Sequence, residues 1–552
     1  MSSIFTTPPF FTNRVNELAV LDQVADDLLN GRPRHIALFG LRRIGKTLVC
    51  QEQMRRLHAG AHVLPVYLNL EDIVTSPEIF AQRYVGLTCF WAVARGAGPM
   101  DAYLSATDLL QTAAGAMPVV AQTIGALLNE LAKQKSEYST LLTIAFEFPE
   151  RLAAALGKPC MLFLDEFPEL VNLRSFPGIG DPLRHFRAAL QRQTQVAYVI
   201  TGSAISATEH IVRDHESPLF LQFRALELHP FTVEDTRVLT ERLIGPLPGA
   251  AHAAIHTYTF GHPFYVTALA EQVRELAAGA TETVGADQVA QAFILEALES
   301  RGQIYGYCRY LHDVSLQRAR GYSVLKAILQ LLAVEDGLHL SEIARRARRQ
   351  PAATREYLQR LMEVDLIVER EGCYYYADPV FRYWVAQTTR GVMVEGFPRR
   401  EELTALGANL TERFARAATQ LGRAKESEVR ELLRTLAGHA VPGAYLGQSE
   451  PIDVPSFTRI EPYRSPDSQI EIDALAENGE RWAVEVKWRQ KRVGPAELSR
   501  LLAAAAGLRA QPWCISQAGF TADARALAAE NGIFLSNADD LAALAKLGDT
   551  QP

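Results

Sequence analysis

Largely apolar runs, each beside a segment of helical spacing, organise the first 240 residues: His35-Ile36-Ala37-Leu38-Phe39, Val63 to Leu70, Met161-Leu162-Phe163-Leu164 and Val196 to Ser203. Runs that are apolar without alternation suit the strands of a parallel sheet, because crossover helices cover both faces. The pattern therefore predicts an α/β layer structure at the N-terminal end. Past residue 240 the pattern is helical, and from Tyr322 to Trp384 it reads helix, helix, helix, hairpin. Short strands return with Ile470-Glu471-Ile472-Asp473-Ala474-Leu475-Ala476, a turn at Glu477-Asn478-Gly479-Glu480, and Arg481 to Lys487. Trp513 to Thr521 then leads into an Ala-rich helix.

The turn after the first run is Gly40-Leu41-Arg42-Arg43-Ile44-Gly45-Lys46-Thr47, a GxxxxGKT loop between a strand and the helical LVCQEQMRRL segment. Backbone N–H groups of such a loop, with the helix N-terminus, form a concave cage for phosphates. Lys46 reaches the outer phosphates and the Thr47 hydroxyl holds Mg²⁺, so Gly40, Gly45, Lys46 and Thr47 are the expected ATP contacts. The third run closes on Asp165-Glu166. Asp165 is expected to order Mg²⁺ and Glu166 to act as general base on the attacking water. A core strand meeting solvent would end the same way; the loop upstream selects the functional reading. The strand between loop and acidic strand points to the ATPase branch that carries a catalytic Glu. Ser203, at the tip of the fourth run, is either a γ-phosphate sensor or an ordinary turn serine.

Phe11-Thr12-Asn13-Arg14-Val15-Asn16-Glu17-Leu18, the loop GLRRIGKT, FLDEF and Tyr258-Thr259-Phe260-Gly261-His262-Pro263-Phe264 together resemble archaeal-type, STAND/AAA-related P-loop ATPases over roughly the first 390 residues. The resemblance implies a switch-like or DNA-associated ATPase with Gly261-His262-Pro263 near the nucleotide in a helical lid. It also places an Arg before the last sheet strand, where Arg224 stands, as an arginine finger across a subunit interface or as a solvated side chain.

At 552 residues the chain is long enough for three or four domains, and 48% hydrophobic with 22% charged residues is ordinary globular composition. A net charge of -7 gives no general attraction to nucleic acid, so DNA contact has to come from local basic patches. Six cysteines without CxxC pairing fit a reduced, cytoplasmic compartment, and MSSIFTTPPF has neither the basic start nor the apolar core of a secretion signal. Leu109 to Leu128 is uncharged, yet Gln111, Thr112, Pro118, Gln122 and Thr123 make it a poor membrane span. It is expected as a buried or partner-facing helix of an insertion, so no membrane contact is expected.

In the middle of the chain, Ser341 is expected to cap a first helix that ends in Arg345-Arg346-Ala347-Arg348-Arg349. Pro351 starts the next helix, with Tyr357, Leu358 and Leu361 inward and Arg355, Gln359 and Arg360 outward. Ile367 to Tyr376 forms a wing turning at Glu371-Gly372. This is the pattern of a winged helix, which serves as a protein–protein module or as a DNA reader; the arginine cluster favours DNA, through phosphate contact. Tyr376-Ala377-Asp378-Pro379 to Val385 again looks like the archaeal ATPase family.

Asp473 on one strand and Glu485-Val486-Lys487 on the next resemble the PD-(D/E)xK, restriction-endonuclease-like nucleases, with Ile472 where the motif has Pro. Asp473 and Glu485 are the expected ligands of Mg²⁺ (or Mn²⁺), because phosphodiester hydrolysis needs an activated water and a neutralised leaving oxygen. Lys487, two residues on and so on the same strand face, orients that water or stabilises the transition state. In the family a helical Glu often adds a third carboxylate, and Glu426 matches better than Glu428. Arg489 and Lys491 add charge for phosphate or a solvated edge. A strict two-residue turn at Asn478-Gly479 would pair Asp473 with Val484 and turn Glu485 away; a three-residue loop with Gly left-handed, or a bulge, is required.

The expected organisation is a P-loop ATPase core over 1–240, a helical lid over 241–315, a winged helix over 316–390, a helical linker over 391–425 and a nuclease-like α/β domain over 426–552. The sequence thus predicts an α/β multidomain ATPase that binds and cleaves DNA, in DNA processing, mobile-element activity or defence, forming a nucleotide-dependent homo-oligomer. The alternative is a non-cleaving ATP-dependent switch or transcription regulator.

Overall fold

In the computed structural model the described residues are all except 1–9, 97–98, 105–107, 110–117, 203–204, 278–283, 319–321, 391–409, 411–413, 415–421, 423–424, 466–469, 490 and 549–552. The apolar runs form a five-stranded sheet of β1 (Ile36–Phe39), β2 (Leu64–Asn69), β3 (Cys160–Asp165), β4 (Val196–Thr201) and β5 (Arg224–Glu227) in the order β2-β3-β4-β1-β5. All pairings are parallel. Every residue of β1, β3 and β4 is buried, which is why their sequences show no alternation. β2, which lies between loop and acidic strand in the chain, is at the edge of the sheet, and β4 stands between the loop strand β1 and the acidic strand β3.

The insertion between β2 and β3 is helical. Helix Pro77–Ala92 is buried along most of its length, and Ile124 and Leu127 of helix Pro118–Leu131 are fully buried. Residues 110–117 of the uncharged Leu109–Leu128 segment lie outside the described residues. Among the described residues no helix is long and apolar enough to cross a membrane.

Among the described residues five helices from Val233–Ile244 to Gln303–Arg318 follow, packed on one another around Tyr265, Leu269 and Phe293. Next come helix Tyr322–Val334, β6 (Leu338–His339), helices Leu340–Arg346 and Pro351–Glu363, and the hairpin β7 (Ile367–Arg370) and β8 (Cys373–Tyr376). These strands form an antiparallel sheet in the order β6-β8-β7. Ser341 does not cap its helix. The chain passes from β6 directly into helix Leu340–Arg346, whose N-cap is His339, with no side-chain cap bond. Glu371 and Gly372 both take positive φ, 50° and 73°, as a tight two-residue hairpin turn demands. Asp378 caps helix Pro379–Thr389 through the N–H groups of Val380 and Phe381, and it accepts from the Tyr265 hydroxyl of the preceding helical layer.

Asp365 joins this middle module to the ATPase layer. At φ 57° it accepts from the Ile205 and Ser206 amides at 2.6 and 3.0 Å and from the Ser206 hydroxyl at 2.6 Å. Bonds to a charged acceptor contribute about 1.5–3 kcal/mol each. Asp365→Ala is therefore expected to raise hydrogen–deuterium exchange at the Ile205 and Ser206 amides at least about tenfold. Unchanged protection would show that the contact does not hold the module.

The C-terminal sheet joins β11 (Arg459–Arg464), β12 (Glu471–Asn478), β13 (Glu480–Lys487), β14 (Gln511–Ser516) and β15 (Phe534–Asn537) in chain order, after a small pair β9 (Ala440–Val441) and β10 (Ile452–Asp453). The β11-β12-β13 meander is antiparallel and β13-β14-β15 parallel. Separate apolar clusters cover its two faces, one around Trp482 and Trp513, the other around Leu498, Leu501 and Phe520.

Candidate nucleotide and nuclease sites

The loop is built by its glycines. Gly40 has φ 144°, and a Cβ there would stand 2.8 Å from Leu228 O; Gly45 has φ 107°. Lys46 is buried, its ammonium donating to Gly40 O at 2.7 Å and Leu41 O at 3.1 Å. Desolvation pulls its pKa down to about 8, against the opposing charges of Glu166 and Asp165. A phosphate group replacing those carbonyls would raise it again.

Asp165 gathers the polar groups opposite the loop. Its Oδ2 accepts from Thr47 Oγ1 at 2.7 Å and Tyr67 OH at 2.8 Å, and its Oδ1 accepts from the Thr201 hydroxyl and, at 3.1 Å, from the Glu166 amide. The Tyr67 phenol is pushed up by desolvation and by Asp165. Thr47 and Asp165 thus meet directly, as two groups sharing one hydrated Mg²⁺ would. Glu166 sits just beyond β3 in the left-handed region, φ 51°, a conformation that costs a non-glycine residue on the order of 1 kcal/mol. Ser203 lies outside the described residues.

The helical layer grips the loop at one peptide. His262 Nε2 donates to Arg42 O at 3.0 Å; its buried ring, driven down to about 4, is neutral. The Tyr307 hydroxyl donates to the same oxygen at 3.4 Å, and the Arg43 guanidinium lies over the Phe264 and Tyr307 rings at 4.5 and 4.7 Å. Gly261, φ 70°, lets the chain pass so close to Phe231 O that a Cβ would stand 2.1 Å from it. Arg14 adds a staple, donating to Ile44 O at 3.1 Å and His229 O at 2.8 Å. Arg224 is exposed and pairs with Ile36, at the end of the sheet away from the loop.

In the C-terminal sheet the hairpin register runs from Ala474 opposite Val484 to Asn478 opposite Glu480, with Gly479 left-handed at φ 76°. This is the three-residue loop on which convergence depends. Beyond it, β12 bulges against β11, the pairing stepping from Glu461–Leu475 to Tyr463–Ile472, so Asp473 leaves the ladder. Its Oδ2 instead accepts the Val486 amide at 2.7 Å. Asp473 and Glu485 are both raised by desolvation, Glu485 further by Asp473 itself; Lys487 opposes both shifts and pairs with Glu485. Two hard carboxylates kept close in a poorly solvated hairpin suit Mg²⁺, which binds through one or two protein carboxylates, water and phosphate. Among the described residues no cluster of three or more His, Cys, Asp or Glu side chains is placed to hold a metal.

Helical residues 425–436 lie over this hairpin. Lys425 sits 4.8 Å from the Trp488 ring, the charge of Glu426 adds to the upward shift of Glu485, and Arg430 donates to Asp473 O at 3.0 Å. Glu428 pairs with Lys425, and Arg489 with Glu497.

The fold and loop thus define an ATPase-like P-loop layer on the same chain as a restriction-endonuclease-like domain. Residues 457–545 match the family model Mrr_cat, described as a restriction endonuclease. A comparison with curated proteins gives no match. Similar solved structures include the Walker-type ATPase PABY2304 of Pyrococcus abyssi, 15% identical, covering 69% of this chain and 99% of that one with a TM-score of 0.47. The ORC2 protein of Aeropyrum pernix is 14% identical over 71% of this chain and 99% of its own, with a TM-score of 0.42. The RuvB Holliday junction branch migration motor of Thermotoga maritima is 13% identical over 71% and 100%, with a TM-score of 0.33.

Tyr67, Thr201, Asp365 and Arg430 were not legible in the sequence. Each touches its partner across a long stretch of chain, and none belongs to a motif.

Proposed function

We propose that the chain is a Mg²⁺-dependent deoxyribonuclease controlled by ATP, a STAND-like switch in which nucleotide state sets the access of DNA to the hairpin. The observation that carries this reading is the approach of Asp473, Glu485 and Lys487 at a bulged hairpin inside the segment that matches restriction endonucleases. Asp473 and Glu485 hold the divalent cation, whose chemistry is to lower the pKa of a bound water and to neutralise the scissile phosphate. Lys487, paired with Glu485, orients the water and stabilises with its positive charge the negative charge that develops on the phosphate.

In the ATPase layer, Gly40, Gly45 and Lys46 hold the phosphates, Thr47 and Asp165 hold Mg²⁺, and Glu166 takes the proton of the attacking water. Ser203 stays a proposed sensor, with Thr201 fixing Asp165 two residues before it. The module over 316–390 acts as a winged helix on DNA. Its exposed arginines, Arg345, Arg348, Arg349 and Arg355, contact the phosphate backbone. The remaining limits, lid 241–315, linker 391–425 and nuclease domain 426–552, and a cytoplasmic homo-oligomer complete this reading.

The test is cleavage of circular and linear DNA by purified protein with Mg²⁺ or Mn²⁺, with and without ATP, for wild type, Lys487→Ala and Lys46→Ala. Cleavage is expected to be lost in Lys487→Ala and to lose its ATP response in Lys46→Ala. Wild type that binds DNA under all these conditions without cutting would leave a non-cleaving switch as the better reading.

A further inference from the structure

We propose that Arg430 is a phosphate-binding residue at the junction between the middle module and the nuclease sheet, and that Glu371 of the β7–β8 turn now holds the place a DNA phosphate would take. The proposal rests on the nuclease reading above.

Arg430 reaches three ways. Nη1 donates to Asp473 O at 3.0 Å, Nη2 donates to Ser427 Oγ at 2.6 Å, and Nη2 lies 3.8 Å from Glu371 Oε1. Its side chain is 13% exposed, whereas that of Glu371 is 58% exposed. A guanidinium cannot shed its charge on burial, so it calls for an anion, and its planar fork matches the paired oxygens of carboxylate or phosphate. The contacts to Asp473 O and Ser427 Oγ are neutral. Within 4 Å the Glu371 contact is the anionic one, the Asp473 carboxylate acting on Arg430 from farther off, and as an exposed pair beyond hydrogen-bond distance it is weak. A weak anion on one module facing a largely buried cation on the other is an exchangeable arrangement, in which a phosphate can displace the carboxylate without stripping Arg430 of a counter-charge.

The position fits a strand in transit. Arg430 touches the middle module through Glu371 and the nuclease hairpin through the carbonyl of Asp473, so a duplex held by the first and cut at the second spans this junction. Glu371 repels phosphate until it is displaced, which makes it a brake on engagement as well as a placeholder.

The experiment measures binding of the full-length chain to duplex DNA by fluorescence anisotropy in Ca²⁺ at increasing salt, then cleavage in Mg²⁺, for wild type, Glu371→Gln, Arg430→Ala, Arg430→Lys and, as control, Arg434→Ala. Arg434 lies on the same helical stretch, is 49% exposed and pairs with Glu431. Arg430→Ala is expected to lower the salt slope of binding by about one, one phosphate contact, and to raise KM for DNA more than it lowers kcat. Arg430→Lys is expected to keep the salt slope, and Glu371→Gln to bind DNA severalfold more tightly than wild type. A wild-type salt slope in Arg430→Ala, an equal loss of slope in Arg434→Ala, or unchanged affinity in Glu371→Gln would overturn the proposal. Should Arg430→Ala fail to fold, by its melting curve, Arg430→Lys and Glu371→Gln carry the test alone. Wild type that binds DNA but never cuts would sink the nuclease reading; wild type that cuts while the variants behave as wild type would sink this inference only.

Discussion

Glu166→Gln is expected to leave ATP binding intact and to cut ATP hydrolysis by about 10²–10⁴-fold, the usual contribution of a positioned general base. The amide keeps the shape of the side chain but cannot accept a proton. Binding survives because the cage is made by the loop backbone and Lys46; the substitution removes the Glu166 charge that acts on the Lys46 ammonium but none of its hydrogen bonds. The backbone at Glu166 supports the assignment: a half-buried non-glycine residue held at φ 51° directly after a fully buried strand is the kind of strained position that clusters at functional sites. Binding of a fluorescent ATP analogue and release of inorganic phosphate, measured on the same preparation, check this. Hydrolysis at the wild-type rate would remove Glu166 from the role, and loss of binding would place it among the nucleotide contacts.

The second large effect is expected at Asp473. Asp473→Asn retains an oxygen that can accept the Val486 amide, so the bulge and the hairpin should persist. It removes one of two carboxylates available to a divalent cation, an interaction that supplies several kcal/mol to phosphodiester hydrolysis. At about 1.4 kcal/mol per tenfold, DNA nicking should fall by at least about 10³-fold. A Mg²⁺ titration of plasmid nicking, with a melting curve to show that the sheet is intact, measures both halves of the claim. Nicking retained within about an order of magnitude of wild type would move the metal site elsewhere.

What the sequence displayed follows the range over which its signals act. The loop, the acidic strand end and the ExK strand are contiguous, and each announces its chemistry within eight residues or fewer. The parallel sheet was legible because burial on both faces leaves a fully apolar strand. The hairpin register was narrowed to two options by the side-chain period, and Gly479 in the left-handed region decided between them. Ser341 misled because a serine before an apolar helix is an ordinary N-cap signal, whereas pairing of Leu338 and His339 with Tyr374 and Cys373 starts the helix earlier. Tyr67 reaches Asp165 across 98 positions and Asp365 reaches Ser206 across 159, so no local pattern marks either.

The grip on the Arg42 carbonyl reaches into the phosphate cage itself. A peptide unit is planar and trans, so its C=O and the following N–H point in opposite directions. With His262 and Tyr307 drawing the Arg42 oxygen toward the helical layer, the Arg43 N–H is aimed the other way. Rotating those helices turns that plane, and one of the loop's backbone donors turns with it. Helix-layer angle and donor direction at Arg43 are therefore one mechanical coordinate, joined by the His262 and Tyr307 side chains and a single peptide plane.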